Sequence, residues 1–520
     1  MLTRRDAMKL GAAGVASAIA AANAKGAEPP KSPSGHIIAA MSAATETVDP
    51  HFSRSQVARN VLMHICETLV TIDEHSSAQL QLAESLDIDK DFRVFTFRLR
   101  QGVAFHNGKQ MTSADVQKSL ERWSKVSPEK ARLDSVARMS TPDKYTLVAE
   151  LKQSQPAWVE LLKSPASPMT IIPAEECDKD PNKAQPISTG PYAFAGWDGA
   201  TELNMRRFKD YTPNTAHAGR DGYGGRRSVW FDEATFKVIK EPSARVAGLQ
   251  TGQFHIVDQV PVPAAKRLAQ DAKMKVYDHI PSGANVIGVN FSKPPTDKLP
   301  VRQAIQAVLN IDEIMSVATD GFYVLNPCWI FKDNKFYPKD TARLVYNLAD
   351  ENRARALLKQ AGYNGEEIVM LTSADIAGLK EAAVVASEEM KSVGMNVRMD
   401  VFDWPGMTAR RTDPTTHNLF SSGYGIQPLL GPFEYRRFFS GPDNWSYAKP
   451  DAAMDDLWAK LFAAGAEDER ARIYSDIEYR INNQVYELKL GDSGAKQAAT
   501  AALQNFLPYD GIRLWDDWLA

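Results

Sequence analysis

Residues 95–123 read FTFRLRQGVAFHNGKQMTSADVQKSLERW, and their periodicity changes part-way. From Val94 to Arg100 apolar and polar residues alternate, with Phe95, Phe97 and Leu99 on one face and Thr96, Arg98 and Arg100 on the other. A period of two predicts a half-buried strand. Gly102 and Gly108 allow tight turns in the loop that follows. Thr112 and Asp115 then make a capping box, after which Val116, Leu120 and Trp123 recur at helical spacing. Farther along, Ala354, Leu357, Leu358 and Ala361 form an apolar stripe that stops at Gly362, the residue type that most readily ends a helix. Strands and helices alternate throughout, which predicts an α/β architecture.

The chain has 520 residues, 44% of them hydrophobic and 24% charged, a composition typical of folded globular proteins. At roughly 150 residues per domain this length predicts about three domains or lobes. A formal charge of −3 argues against nucleic acid or an anionic membrane as the main partner. Cys66, Cys177 and Cys328 are too widely spaced for a zinc site or a redox pair, allow one disulfide at most, and read as buried single thiols.

Residues 1–24 read as a removable export signal. Arg4 and Arg5 precede an Ala/Gly-rich stretch from Leu10 to Ala22, and Ala22-Asn23-Ala24 is a small-x-small cleavage site. The paired arginines resemble a twin-arginine signal, although Ala7 and Met8 stand where Phe and Leu are usual; the general secretory route stays open. Losing Arg4, Arg5, Asp6 and Lys9 would make the mature chain more acidic. No cysteine follows the cleavage site, so no lipid anchor is expected, and no later run reaches the roughly 18 apolar residues of a membrane span. The expected location is the periplasm, in soluble form.

Few residues suggest catalysis. Gly491-Asp492-Ser493-Gly494 copies part of a serine-protease nucleophile motif, but Ala495-Lys496 breaks it and no histidine follows His417. It reads as a turn. The Gly-rich patch from Gly219 to Arg227 lacks a phosphate-loop pattern and reads as a mobile surface loop. The histidines are scattered; His64-Ile65-Cys66-Glu67 is their closest approach to a ligand cluster, and no local motif supports a metal or cofactor.

Beyond these local readings, the chain resembles the extracellular solute-binding proteins of family 5, the peptide/nickel class of importer receptors. The run Phe95–Trp123 carries the resemblance most specifically. It is joined by Val48-Asp49-Pro50-His51, Glu67-Thr68-Leu69-Val70, Leu82-Ala83-Glu84-Ser85, Ser188-Thr189-Gly190-Pro191-Tyr192 and Ala244-Arg245-Val246-Ala247-Gly248-Leu249 with Gly252. Gly288-Val289-Asn290-Phe291, Val301-Arg302-Gln303-Ala304 and Ala356–Tyr363 complete an ordered series.

The resemblance implies an α/β, two-lobed periplasmic-binding-protein clamp (type II, cluster C) with an extra domain in the first lobe. Residues 25–69, 188–276 and 492–520 would form lobe I, 70–187 the extra domain, and 277–491 lobe II. Function would be capture of a small peptide-like or carboxylate-bearing solute between the lobes and delivery to ABC-transporter membrane permease subunits with their cytoplasmic ATPase. The protein would act as a monomer, without cofactor and without catalysis. Two alternatives are an exported hydrolase using Ser493, and a binding protein that serves a sensor without transport.

The resemblance also implies ligand-facing positions at Arg54, Gln56, Trp404, Arg411, Tyr424 and Gln427. In peptide-binding members an aspartate pairs with the ligand's ammonium group, and its place falls on Gln427. An acidic position of the N-terminal loop falls near Arg54, and Arg411, with Arg410 beside it, sits where the family places an arginine. Two arginines and an amide suit a carboxylate-bearing ligand with no obligatory ammonium, because a guanidinium fork matches carboxylate geometry. Trp404 and Tyr424 would supply flat walls. The expected ligand is an acidic small molecule or modified peptide, in preference to ordinary di- or oligopeptides.

Overall fold

The computed structural model describes residues 28–441, 444–447 and 451–520, so the export-signal reading of residues 1–24 lies outside the described residues. The chain divides into two compact units, Met1–Tyr277 with Lys496–Ala520, and Asp278–Ala495.

In the first unit, His36–Met41 pairs in parallel with Glu233–Val238, from His36 opposite Glu233 to Met41 opposite Val238. Ile256–Val257 joins its other edge in parallel. Glu202–Arg207 and Tyr192–Trp197 extend the sheet antiparallel beyond Glu233–Val238. His36–Met41 is central, so its residues from Ile37 onward are covered on both faces, as expected of parallel strands.

The same unit carries a four-stranded antiparallel sheet ordered Ala83–Ile88, Val94–Leu99, Thr146–Leu151, Val136–Asp143. The alternation from Val94 to Leu99 is realised: Phe95, Phe97 and Leu99 are buried, each contributing about 1.5–3 kcal/mol. Helix Ser113–Val126 follows. Its first turn is held by Asp115, whose Oδ2 accepts from the Thr112 N–H at 2.9 Å and hydroxyl at 2.7 Å. Val116, Leu120 and Trp123 join the strand residues in one core, where Phe95 meets Trp158 edge-on at 4.8 Å.

The second unit is built on Glu367–Ser373, which pairs in parallel with Asn396–Phe402 and with Leu419–Tyr424. Residues 284–289 of the strand Met274–Val289 run antiparallel to Leu419–Tyr424. One face packs Leu419 and Met370 among residues of the helices Leu299–Val308, Ile311–Ala318, Glu351–Ala361 and Leu379–Ser392. The stripe of Glu351–Ala361 belongs to this core, and Gly362 ends the helix at φ +63°. The opposite face carries Phe420, Val369 and Leu371 under Met407. Gly288 stands opposite Phe420, and a Cβ there would lie 2.1 Å from the ring. That close approach gives one glycine of the quoted motifs a packing reason.

Two local expectations are corrected. Gly219–Arg227 is no mobile loop: Arg220–Asp221 pairs with Gly224–Gly225, and Tyr223 and Arg227 are buried. Arg227 donates to the carbonyls of Met63 and Cys66, both at 3.2 Å. Its long-range contacts, invisible in composition, decide the outcome. Gly491–Gly494 is not a turn but lies inside the strand Glu487–Thr500, where Ser493 pairs with Tyr323. Asp492 explains that segment's polarity, since its carboxylate is 2.5 Å from Lys489 Nζ and accepts from Asn326 at 2.7 Å. Cys66, Cys177 and Cys328 are buried free thiols.

Candidate functional site

Alternation along Leu419–Tyr424 sets Phe420, Ser422 and Tyr424 on one face of the second unit's sheet. Trp404–Arg411 is a short helix with Asp403 as its cap; the Asp403 carboxylate accepts from the Gly406 N–H at 2.9 Å. Asp375 anchors the same end, accepting from the Trp404 N–H at 2.9 Å. Met407 is the buried foot of this helix, packed with Phe420, Val369 and Leu371, while Trp404 and Trp445 are half-buried beside it. Two turns of helix therefore carry Arg411 to the Phe420 end of that face.

There the Arg411 guanidinium lies 4.0 Å from the centre of the Trp445 ring and 5.3 Å from that of Phe420. Trp445 stacks on Tyr424, with ring centres 5.7 Å apart at 18°. Tyr424 also meets Trp329, Tyr435 and Phe438 edge-on. Its hydroxyl donates to Glu487 Oε2 at 2.9 Å. Tyr447 tethers the other side by donating to the Arg411 carbonyl.

Burial dominates the electrostatics. Glu487 is 3% exposed, and burial pushes its carboxyl up to about 8 against the opposing pull of the Tyr424 hydrogen bond and the Arg411 charge. Burial also draws Arg411 below its ordinary value. His417, edge-on to Phe420 at 5.7 Å, is lowered to about 4 by burial and by the nearby Lys293 and Arg411 cations. Arg411 Nη1, His417 Nε2, Ser422 Oγ and Glu487 Oε1 are all buried and lack a hydrogen-bond partner among the described residues. Each such atom costs about 1–3 kcal/mol, so a group of them at one place calls for a functional reason.

Of the six positions expected from sequence, Arg411 and Tyr424 meet Trp445, and Trp404 packs against the same Met407–Phe420 cluster as Trp445. Gln427 opens the short helix Gln427–Leu430 just past Tyr424 and is half-buried. Arg54 and Gln56 belong to the first unit and are engaged there. Arg54 Nε lies 2.8 Å from Glu129, and Gln56 donates to the carbonyl of Asp510 at 3.1 Å and to its carboxylate at 3.3 Å. Arg410 lies over Phe402 at 4.7 Å. Sequence reasoning missed Trp445, Ser422, His417 and Glu487. Ser422 was recoverable from strand alternation with Tyr424; Glu487 has no local signal.

Comparison with known proteins places the chain in a family. A protein of Sinorhizobium fredii named as a probable peptide ABC transporter periplasmic-binding protein is 23% identical over 485 residues, covering 90% of each chain. A glutathione-binding protein of Salmonella paratyphi A is 25% identical over 485 residues, again covering 90% of each chain. The solved oligopeptide-binding protein of Bacillus subtilis, in complex with a nonapeptide, shares the fold with a TM-score of 0.75. That superposition covers 95% of this chain and 100% of the other at 20% identity. The family profile described as bacterial extracellular solute-binding proteins, family 5 Middle, matches residues 77–446. With a match over more than half its length, the chain belongs to the family 5 bacterial extracellular solute-binding proteins.

Proposed function

We propose that this chain is the periplasmic substrate-binding subunit of an ABC importer, taking a carboxylate-bearing solute that needs no ammonium group and delivering it to membrane permease subunits. Family membership supports the receptor role, and the observation that carries the ligand class is Arg411. Its guanidinium is held between aromatic rings with one buried N–H unpartnered, ready to meet a carboxylate. Gln427, neutral, stands where the family resemblance places an aspartate for ammonium groups. Peptide and glutathione, the solutes in the relatives' names, both end in a carboxylate. In this reading Trp404, Arg411, Tyr424 and Gln427 face the solute, and Arg54 and Gln56 are further ligand-facing positions.

In the same reading the chain is a monomer and no enzyme; against a hydrolase built on Ser493, that residue sits within a strand and its carbonyl accepts from the Ser282 hydroxyl at 3.3 Å. Residues 1–24 act as its export signal, twin-arginine-like, with the general secretory route as the alternative. Among the described residues no helix is long and apolar enough to cross a membrane.

Native mass spectrometry of the purified chain tests the proposal. A retained acid of small mass, lost in Arg411→Ala, is the expected result. Tight calorimetric binding of unmodified dipeptides that survives Arg54→Ala and Arg411→Ala would overturn the ligand assignment.

A further inference from the structure

Trp445 lies on a turn, outside every helix and strand, so regular backbone structure does little to orient its ring. Its segment is tied down at two points. The Trp445 N–H donates to the Phe438 carbonyl at 3.2 Å, and the Ser446 hydroxyl donates to the Tyr486 carbonyl at 2.7 Å. Neighbouring rings set the indole plane: Phe438 meets it edge-on at 4.4 Å, and Tyr424 stacks on it with centres 5.7 Å apart.

Tyr424 can hold that plane only if its own ring is fixed. The torsion that turns a phenol ring is soft, with broad two-fold wells. The Tyr424 hydroxyl removes this freedom by donating to Glu487 Oε2 at 2.9 Å. The acceptor does not wander, because Glu487 opens the strand Glu487–Thr500 and is 3% exposed. Tyr424 is therefore held at its root by the strand Leu419–Tyr424 and at its tip by Glu487. Trp445 in turn carries the Arg411 guanidinium 4.0 Å from its ring centre. Each link from Glu487 through Tyr424 and Trp445 to Arg411 is a direct contact.

We infer that Glu487 is a positioning residue for Arg411: by receiving the Tyr424 hydroxyl it fixes the ring on which Trp445 stacks, and Trp445 holds the guanidinium ready for the solute. The inference rests on the carboxylate reading above and adds the residues that preorganise its arginine. Glu487 touches no solute in this role. A free arginine side chain samples many rotamers, and holding one of them in advance spares the solute the entropy of ordering it. The role asks only for an acceptor oxygen at Oε2, so an amide serves as well as a carboxyl group. It also gives a reason for a polar group at a buried position where an apolar side chain would cost the fold less.

The Arg411 Nε–H signal of the ligand-free protein, assigned with Arg411→Lys, is the readout, because the Trp445 ring current acts on it only while the guanidinium lies over the ring. Trp445→Leu gives the position of the signal without that ring. Tyr424→Phe removes the hydroxyl, Glu487→Leu removes the acceptor, and Glu487→Gln keeps it. Tyr424→Phe and Glu487→Leu are expected to move the signal toward its Trp445→Leu position, and Glu487→Gln to restore the wild-type position. Benzoate, a carboxylate probe, is expected to bind roughly 2–13-fold more weakly to the first two variants, the range for ordering one side chain. Their double variant is expected to lose no more than either alone, since both cut one bond. An Arg411 signal unmoved in either variant, or displaced as far in Glu487→Gln as in Glu487→Leu, would overturn the inference and leave Glu487 a structural group. If Glu487→Leu does not fold, Tyr424→Phe cuts the same bond from its other end. Failure of the carboxylate reading shows separately, as wild-type protein that binds no benzoate while its Arg411 signal still answers to Tyr424→Phe.

Discussion

Tyr424 donates its hydroxyl to Glu487 Oε2 across 2.9 Å, joining the last residue of one strand to the first of another 63 positions later. This bond partly compensates the burial of a carboxyl group that the strand register places in an aromatic nest. It leaves Glu487 a cost to the fold that the hydrogen bond offsets only in part.

The cost has a direction in pH. Folded Glu487 titrates near 8, against an ordinary value of 4.5, so between those values the folded chain holds a proton that the unfolded chain has released. Its contribution to stability is full below about 4.5 and is lost as pH rises to about 8, by up to about 1.4 kcal/mol per pH unit. Glu487→Gln is expected to flatten the stability profile from pH 5 to 8. At pH 8.5 the variant should exceed the wild type by about 2–4 kcal/mol. Urea melts at five pH values check this; parallel profiles would show that Glu487 is ionised in the fold.

Trp445 is half-buried and carries the Arg411 guanidinium at 4.0 Å. Removing the ring in Trp445→Ala withdraws a cation–π contact of about 0.5–2 kcal/mol. Affinity for the retained acid is expected to fall roughly 3–30-fold. Calorimetry with wild type and variant side by side is the check, and equal affinity would remove Trp445 from the site.

Gly190, in the Ser188–Tyr192 motif, donates its N–H to the Ile65 carbonyl at 3.0 Å. A Cβ at this position would lie 2.5 Å from that same oxygen. Both partners are backbone, so neither moves cheaply, and Gly190→Ala is expected to cost about 1–3 kcal/mol as an overpacking change. Denaturation midpoints measure it; a neutral result would mean the loop has slack.

Arg122 donates through Nη1 to Asp49 Oδ1 at 3.0 Å and through Nη2 to Oδ2, with both side chains buried. Asp49→Ala leaves the guanidinium buried without its anion and is expected to cost about 3–5 kcal/mol. Adding Arg122→Met should restore part of that loss. A single-variant cost below about 1 kcal/mol, the range of surface pairs, would mean that the cation escapes to solvent.

Much of the fold was legible because its signals are local. The alternation of Phe95, Phe97 and Leu99, the Thr112–Asp115 box and the stop at Gly362 each depend on neighbours within one or two turns. The misread segments depended on distant partners. Gly219–Arg227 looked mobile because glycine content is local, whereas the burial of Arg227 is set by the Met63 and Cys66 carbonyls. Gly491–Gly494 looked like a turn because Gly-Asp-Ser-Gly is turn-rich, but pairing with Tyr323 and the Lys489 and Asn326 contacts to Asp492 hold it extended.

The site divides along the same line. Arg411, Tyr424 and Trp404 could be named from residue order, because the family resemblance runs through their segments and because guanidinium and aromatic groups announce their chemistry. Whether an arginine is engaged is a tertiary matter: Arg54 meets Glu129, whereas the Arg411 guanidinium lies over the Trp445 and Phe420 rings, its Nη1 without a hydrogen-bond partner among the described residues. Glu487 is the clearest case. Residue order shows one carboxylate among many, nominally charged. Folding buries it where it accepts the Tyr424 hydroxyl, and that loss of water pushes its carboxyl up to about 8.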